Sequence, residues 1–179
     1  MKKEILLLMI ILMIFSIPLF ALLSVGSKAP QFSVENADGN ILNLETLRGK
    51  AAVGFYVNKE DTKNTALRIE LDNFRNEWIQ YSASSTFRLA ITDASSANDI
   101  TRFIWKKKIA EKSKKIGITI YADWDGSMKK AYKFKDGDSN FIIIDKRGII
   151  RYLRSGEIPE SEFPVIKDLI KKITVETGE

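Results

Sequence analysis

The chain has 179 residues, with 28 lysines and arginines against 23 acidic residues, a net charge of +5, and neither cysteine nor histidine. Without cysteine there is no disulfide and no thiolate nucleophile, and without histidine the usual serine hydrolase base and the usual zinc ligands are missing. We therefore expect no metal and no cofactor. The mild positive charge is far below that of a dedicated nucleic-acid binder, so no nucleic-acid partner is expected.

Residues 1–24 have the pattern of a signal peptide or a membrane anchor. Lys2 and Lys3 precede an almost unbroken apolar run over residues 5–23. The length of this run lies between that of a signal core, about 7–15 residues, and that of a membrane-spanning helix, about 20. Pro18 and the small Ala21 favour cleavage, but a retained anchor stays open. Either outcome predicts an exported domain over residues 25–179, in the periplasm or on the outer face of the membrane.

The first half of this domain predicts a hairpin, two strands and two helices. Residues 31–36 and 41–44 flank an Asp38-Gly39 turn, which is a strong hairpin signal. The apolar run Ala51–Val57 is typical of a central strand that is buried on both faces. A helix over residues 62–81 is indicated by apolar residues at spacings of four, three and four: Leu67, Leu71, Phe74 and Trp78.

The middle of the chain predicts another strand and a strongly basic helix. The strand covers residues 86–92, and Ser95, Ser96 and Asn98 can cap the helix that follows over residues 99–115. We expect this helix to bury its apolar side chains against the sheet. These are Ile100, Phe103, Ile104 and Ile109.

The last third predicts a short strand, a helical turn, a hairpin and a closing helix. The short strand covers residues 118–121 and the helical turn residues 125–132. Residues 141–145 and 149–153 surround a tight turn, so these two strands should pair antiparallel. The closing helix carries Phe163, Ile166, Ile170 and Ile173 on one face. The order of elements predicts an α/β fold with a mixed sheet flanked by helices.

Four phrases in this order resemble the redoxin branch of the thioredoxin superfamily. The first is the Gly-x-x-Ala-Pro-x-Phe pattern that begins at Gly26, and the second runs from Asp38 to Lys50. The third covers residues 123–132, and the fourth is the strand and turn over residues 143–150. The resemblance implies a thioredoxin-like mixed β-sheet flanked by helices, with an N-terminal β-hairpin.

A closer resemblance is to the exported family of the YtfJ type. It is carried by the sequence of residues 62–67, by the strand followed by a long basic helix, and by residues 139–145. The resemblance implies a periplasmic thioredoxin-like protein without an established activity.

The departures from the redoxin pattern fall on its active site. In thiol oxidoreductases the loop after the first core strand carries Cys-x-x-Cys, and here the corresponding residues 58–64 contain no cysteine. The cis-proline that faces those cysteines has its place at about Ser139. We predict a degenerate site that can still bind a ligand, against the alternative of a capped, solvated turn. Its candidate residues are Asn58, Lys59, Glu60, Asp61, Thr62, Ser139 and Asn140.

Two other groups of charged residues suggest a membrane surface and a metal site. The basic helix offers a candidate surface for anionic membranes, against the alternative of a solvated helix face. Its residues are Arg102, Lys106, Lys107, Lys108 and Lys112. The loop over residues 136–140 partly resembles a calcium loop but lacks the distal glutamate, and Asp123 and Asp125 are more simply explained by a turn, so no metal is predicted.

These observations favour an exported thioredoxin-fold protein without thiol redox activity, a binding or scaffolding module for an unknown envelope protein or small ligand. One alternative is a redoxin-related protein that acts in an antioxidant or thiol–disulfide pathway through its partners. Another is a binder of anionic envelope surfaces through the basic helix.

Overall fold

The computed structural model describes residues 23–58, 63–82 and 84–175. The signal or anchor prediction for residues 1–24 therefore lies almost wholly outside the described residues. Seven strands form one sheet: β1 (Ser33–Asn36), β2 (Ile41–Asn43), β3 (Ala51–Val57), β4 (Thr86–Asp93), β5 (Tyr121–Asp123), β6 (Asn140–Ile144) and β7 (Ile150–Ser155). Four helices accompany it: α1 (Thr65–Ser82), α2 (Asp99–Ile116), α3 (Ser127–Tyr132) and α4 (Phe163–Val175).

The sheet has the order β2-β1-β5-β4-β3-β6-β7 and mixed direction. Strands β3, β4 and β5 are parallel to one another, whereas β1, β2, β6 and β7 join through antiparallel pairs. The N-terminal hairpin, the buried central strand and the antiparallel β6–β7 pair are confirmed. The short strand predicted over residues 118–121 instead begins at Tyr121, because its parallel register on β4 starts with the pair Ile91 and Tyr121.

Helices pack on both faces of the sheet. On one face, α1 and α4 pack through buried side chains against β3 and β6, and the apolar stripes predicted for these helices are confirmed at Leu67, Phe74 and Ile166. The other face packs against α3 and the hairpin, with Met128 and Tyr132 fully buried. The chain thus has the mixed sheet between helical layers that its pattern predicted.

The orientation predicted for α2 is wrong. Ile100, Phe103 and Ile104 are 84%, 75% and 50% exposed, and only Ile109 is buried. The face that packs on the sheet carries Trp105 and Ile109 together with the two basic residues Arg102 and Lys106. These cations bind Glu35 of β1 at 2.9 and 2.6 Å, so ion pairs from a distant strand select this face of the helix.

The start and end of α2 follow the predicted local rules. The side chain of Asn98 accepts a hydrogen bond from the backbone amide of Thr101, and the Thr101 hydroxyl accepts one from the Asn98 amide. This reciprocal capping box satisfies amides that the first turn leaves unpaired. The helix ends at Gly117, whose left-handed backbone conformation closes the last turn.

Candidate functional site

The residues predicted to form a degenerate active site lie at one edge of the sheet, so far as the structure describes them. Asn58 follows β3, while Asp93 and Asp123 end the parallel strands β4 and β5. Because β6 is antiparallel to β3, its first residue, Asn140, lies at the same edge. Ligands of open α/β sheets usually bind beyond the carboxyl ends of parallel strands, so this edge is the place to look for a site.

Asn140 is buried and uses its side chain to hold neighbouring backbone. Its amide nitrogen donates to the carbonyl oxygens of Lys135 and Asp138, each at 3.1 Å, and lies 3.4 Å from that of Tyr56. Its amide oxygen accepts from the backbone amide of Lys135 at 2.9 Å and from the Ser155 hydroxyl at 2.5 Å. Every polar position of this side chain is therefore occupied by the protein itself.

Ser139, which the resemblance places at about the position of the cis-proline, is also fully buried. Its carbonyl accepts a hydrogen bond from the amide of Gly156 at 2.9 Å, which ties this turn to the end of β7. No peptide bond in the described ranges is cis, and the Ser139 hydroxyl has no hydrogen-bond partner there. The turn is thus held by its backbone, and the hydroxyl contributes no hydrogen bond to it.

The beginning of α1 is tied to the same region. Asn58 is half-buried, whereas Lys59, Glu60, Asp61 and Thr62 lie outside the described residues. Lys63 forms an ion pair with Asp138. Asn64, which is buried, donates to the carbonyl of Gly156 and accepts from the amide of Ile158, each at 2.9 Å. A binding role for the Asn58–Thr62 loop, for Ser139 and for Asn140 stays a prediction.

Sequence reasoning missed a buried pair between Tyr56 and Asp123. The Tyr56 hydroxyl donates to the Oδ2 atom of Asp123 at 3.0 Å, and the backbone amide of Lys129 donates to the same oxygen at 3.0 Å. Within the described ranges the other carboxylate oxygen, Oδ1, accepts no hydrogen bond. Burial raises the pKa of Asp123, and burial beside this carboxylate also raises the pKa of Tyr56. The signal that could have found the pair is their shared position at the carboxyl ends of two strands, β3 and β5, that flank β4.

The remaining carboxylates of this edge are paired with lysines. Lys129 binds Asp93 at 2.7 Å and Asp136 at 3.1 Å. Burial alone would raise the pKa of Asp93, but the hydrogen bonds from Lys129 and Ser95 lower it overall. Over the described part of the chain, no three acidic residues converge as a metal site would need. The loop over residues 136–140 uses its two aspartates for ion pairs instead.

The basic surface divides into two parts. Arg102 and Lys106 are bound to Glu35, and the guanidinium of Arg102 also lies 4.5 Å from the ring centre of Trp124. The ion pair with Lys106 outweighs partial burial and lowers the pKa of Glu35. Lys107, Lys108 and Lys112 are exposed. Hence only the second group keeps its charges available at the surface.

The fold and its site edge define a thioredoxin-like protein of the redoxin class. The AhpC/TSA family matches residues 25–153, and the chain belongs to this family. A Coxiella burnetii protein that is named only provisionally as a peroxiredoxin, bcp, is 26% identical over 140 residues, which cover 72% of this chain and 85% of that protein.

Two solved structures show the same fold. The provisionally named thiol:disulfide interchange protein DsbE of Chlorobium tepidum is 17% identical with a TM-score of 0.60, covering 86% of this chain and 99% of that one. The thiol peroxidase of Chromobacterium violaceum is 13% identical with a TM-score of 0.60, covering 83% and 87%. In the described ranges of this chain, no helix has the length and hydropathy to span a membrane.

Proposed function

We propose that this chain is an exported member of the AhpC/TSA family that works by binding, not by thiol redox chemistry. The observation that carries the proposal is the absence of cysteine from all 179 residues of a redoxin-family sequence. Thiol–disulfide exchange and peroxide reduction in this fold need a thiolate, and methionine cannot supply one. The finer assignment to the YtfJ type rests on the resemblance of residues 62–67 and 139–145.

The use of polar groups at the site edge supports a binding module with a rigid frame. Asn140 and Asn64 connect β3, β6, β7 and the start of α1 through hydrogen bonds. Each side-chain nitrogen and oxygen of these two residues takes part in at least one of them. Such a rigid frame is the usual support for a binding loop in proteins. The proposed partner, an envelope protein or a small ligand, contacts the loop over residues 58–62 together with the half-exposed Lys63 and Asp138.

The direct test has an enzymatic part and a capture part. The purified protein is expected neither to reduce insulin disulfides in the presence of a thiol donor nor to consume peroxide. A photoreactive residue at Lys59 is expected to capture a specific envelope component in the cell, which mass spectrometry then identifies. The matched control is the same residue at Lys171, an exposed position of α4.

Three results would count against the proposal. Turnover in either redox assay contradicts the non-redox function. Capture at Lys59 that does not exceed capture at Lys171 contradicts a binding role for the loop. Recovery of the protein in the cytoplasmic fraction, with residues 1–24 intact, contradicts export.

A second candidate function, binding to anionic envelope surfaces, is favoured by one observation. Ile100 and Phe103 are 84% and 75% exposed on α2, next to the exposed Lys107. Apolar side chains flanked by lysines suit the boundary between lipid head groups and acyl chains. The double variant Phe103→Ser with Lys107→Glu should lose retention on phosphatidylglycerol vesicles, whereas Lys171→Glu with Lys172→Glu should not. Equal retention of both variants contradicts this function.

A further inference from the structure

A groove lies between α1 and α2, over the sheet face that β3 and β4 form, and it encloses about 720 Å³. It is separate from the site edge, where the polar groups described above are tied to one another. Pockets for small molecules in proteins usually have volumes of about 300–1,000 Å³, with mostly apolar walls and a few polar groups. The groove has the size of such a site.

The sheet face below the groove is incompletely covered. β3 and β4 are central strands, and central parallel strands are normally buried on both faces. Yet Val53 and Val57 of β3, and Ala90 of β4, are only half-buried on this face, whereas Leu89 and Ile91 on the opposite face are buried. The two helices therefore leave apolar sheet surface open along the groove.

The walls of the groove are apolar over most of their length. α1 contributes Leu71 and Phe74, and α2 contributes one side of its surface. Trp105 and Ile109 of α2 reach the groove from the helix face that also packs on the sheet, while Ile104 and Ile116 are 50% and 44% exposed at its border. An exposed apolar surface with polar residues at its rim is typical of a ligand-binding groove or an interaction site.

The charges around the groove are mostly positive. Five cationic side chains line it, against a single carboxylate, that of Asp72: Arg68, Arg75, Arg88, Lys108 and Lys112. Asp72 pairs with Arg88, and the Arg68 guanidinium lies 4.3 Å from the ring centre of Phe55. Within the described ranges, no carboxylate forms an ion pair with Arg75, Lys108 or Lys112.

Four of these cations lie toward one end of the groove, whereas Arg68, in the first turn of α1, lies toward the other. Arg88 lies near the beginning of β4, and burial, together with the positive charge of the nearby Arg75, lowers its pKa. α2 begins after the carboxyl end of β4 and returns over the sheet, so Lys108 and Lys112 lie toward the beginning of β4 as well. From Thr101 to Lys112 the helix rises about 16 Å, which leaves a long apolar section beyond the cationic end.

We propose that this groove binds an amphiphile with a single long apolar chain and an anionic head group, such as a fatty acid or a lysophospholipid. The apolar chain lies over Val53, Val57 and Ala90, and the head group lies at the Arg75, Lys108 and Lys112 end. Charge complementarity selects this occupant. A second copy of this basic chain would bring like charges together, and an uncharged apolar segment would leave the cations unused.

The first test follows contact with the groove through tryptophan fluorescence. Dibromostearate quenches a tryptophan only at close range, so the test uses a Trp78→Phe background, in which Trp105 lines the groove whereas Trp124 does not. The delipidated protein should show saturable quenching, and Trp105→Phe should remove most of it. Ala90→Leu, which fills the floor of the groove, should weaken binding at least about tenfold, whereas Ala110→Leu, at an exposed position of α2, should not.

The second test separates the head group from the chain. The double variant Lys108→Gln with Lys112→Gln should weaken palmitate binding about tenfold and leave hexadecanol binding unchanged. The control Lys114→Gln with Lys115→Gln, also exposed on α2, should change neither. Because all four lysines are exposed, this comparison remains valid even if Ala90→Leu fails to fold. Native mass spectrometry of the protein as purified distinguishes a fatty acid from a lysophospholipid.

The proposal is overturned by any of three results. One is quenching that persists in Trp105→Phe. Another is hexadecanol binding that equals palmitate binding in the unmodified protein, since the cations would then have no role. The third is a dimer that Ala90→Leu dissociates, because a second copy of the chain would then be the occupant of the groove. None of these readouts depends on capture at Lys59, so this proposal and the proposed function can fail independently.

Discussion

The site edge and the groove between α1 and α2 share strands β3 and β4. They differ in whether their functional groups are bonded within the protein or remain exposed to solvent. At the site edge the buried amides of Asn64 and Asn140 are satisfied by the protein itself. In the groove, half-buried apolar side chains remain available, and within the described ranges no carboxylate pairs with Arg75, Lys108 or Lys112. Asn64 and Asn140 are therefore bonded within the protein at the site edge, whereas apolar and cationic side chains of the groove remain exposed on the neighbouring face.

The largest expected effect concerns the strands that both regions share. A Cβ atom on Gly54 of β3 would lie 1.8 Å from the carbonyl oxygen of Leu89 on β4, so the strands would have to separate. We expect Gly54→Ala to lower the free energy of unfolding by at least about 4 kcal/mol, measured by urea denaturation. Gly49→Ala, at a position with φ of +78° and open space, should cost only about 1 kcal/mol. Equal losses in both variants would contradict this close packing of the strands.

The next effect tests whether the site edge is closed by its hydrogen bonds. Asn140→Ala leaves the Lys135 amide and several carbonyls unpaired in a buried place, so unfolding should become about 3 kcal/mol easier. Ser139→Ala removes a buried hydroxyl that has no partner in the described ranges, and its effect should be near zero or slightly stabilising. Thermal unfolding of the two variants gives the comparison. A loss of similar size for Ser139→Ala would show that the hydroxyl has a structural role.

A third prediction concerns the pH dependence of the buried pair at the site edge. Burial raises the pKa of Asp123 above the value of 3.8 typical of an unfolded chain, so the folded state holds this proton more tightly. The stability from this group is therefore fully present below about pH 3.8 and is lost as the pH rises through the folded-state pKa.

Asp123→Asn mimics the protonated acid and removes that dependence. The stability of the unmodified protein relative to this variant should fall as the pH rises from about 3, and then level off. Urea unfolding of both proteins over this pH range measures the difference, in which the titration of Asp93 and Glu35 largely cancels. A difference that is constant with pH would contradict the raised pKa of Asp123.

The smallest expected effect tests why α2 turns its apolar residues outward at the border of the groove. Glu35→Gln removes the ion pairs to Arg102 and Lys106, and because these pairs are partly exposed it should cost about 1 kcal/mol or less. Hydrogen exchange of the α2 amides should increase beyond that of α4. Glu111→Gln, which removes an exposed acid from the same helix, should leave α2 exchange unchanged. Unchanged exchange in Glu35→Gln would show that Trp105 and Ile109 alone orient the helix.

Much of the fold was predictable because its signals are local. The Asp38-Gly39 turn, the apolar run of β3 and the stripe of Ile166, Ile170 and Ile173 depend on turn chemistry and periodicity. The orientation of α2 was not predictable in this way, since both of its candidate faces mix apolar and basic residues. Glu35 forms ion pairs with one of these faces, and it lies 67 residues before Arg102 in the chain.

The candidate site likewise has features that local sequence signals predict and features that depend on distant segments. The absence of a thiolate follows from the composition alone, and the resemblance pointed to residues 58–64 and Ser139 as the edge where thioredoxin folds carry their chemistry. Two further features depend on the order of the strands in the sheet. Asn140 uses its side chain to bind neighbouring backbone, and Tyr56 donates a hydrogen bond to Asp123, which follows it by 67 residues in the chain. A pattern in one segment carries no information about the pairing of distant segments.

The sequence by itself therefore determined the class of fold, the lack of thiol chemistry and the positions of most strands and helices, because composition, turn residues and periodicity act within a few residues. Only the tertiary structure decided which side of α2 faces the sheet, that the site edge is tied up in its own hydrogen bonds, and that an apolar, cation-lined groove remains open beside Val53 and Ala90. Those outcomes depend on packing and hydrogen bonds between segments that are far apart in the chain, including the spacing of α1 and α2 over the sheet.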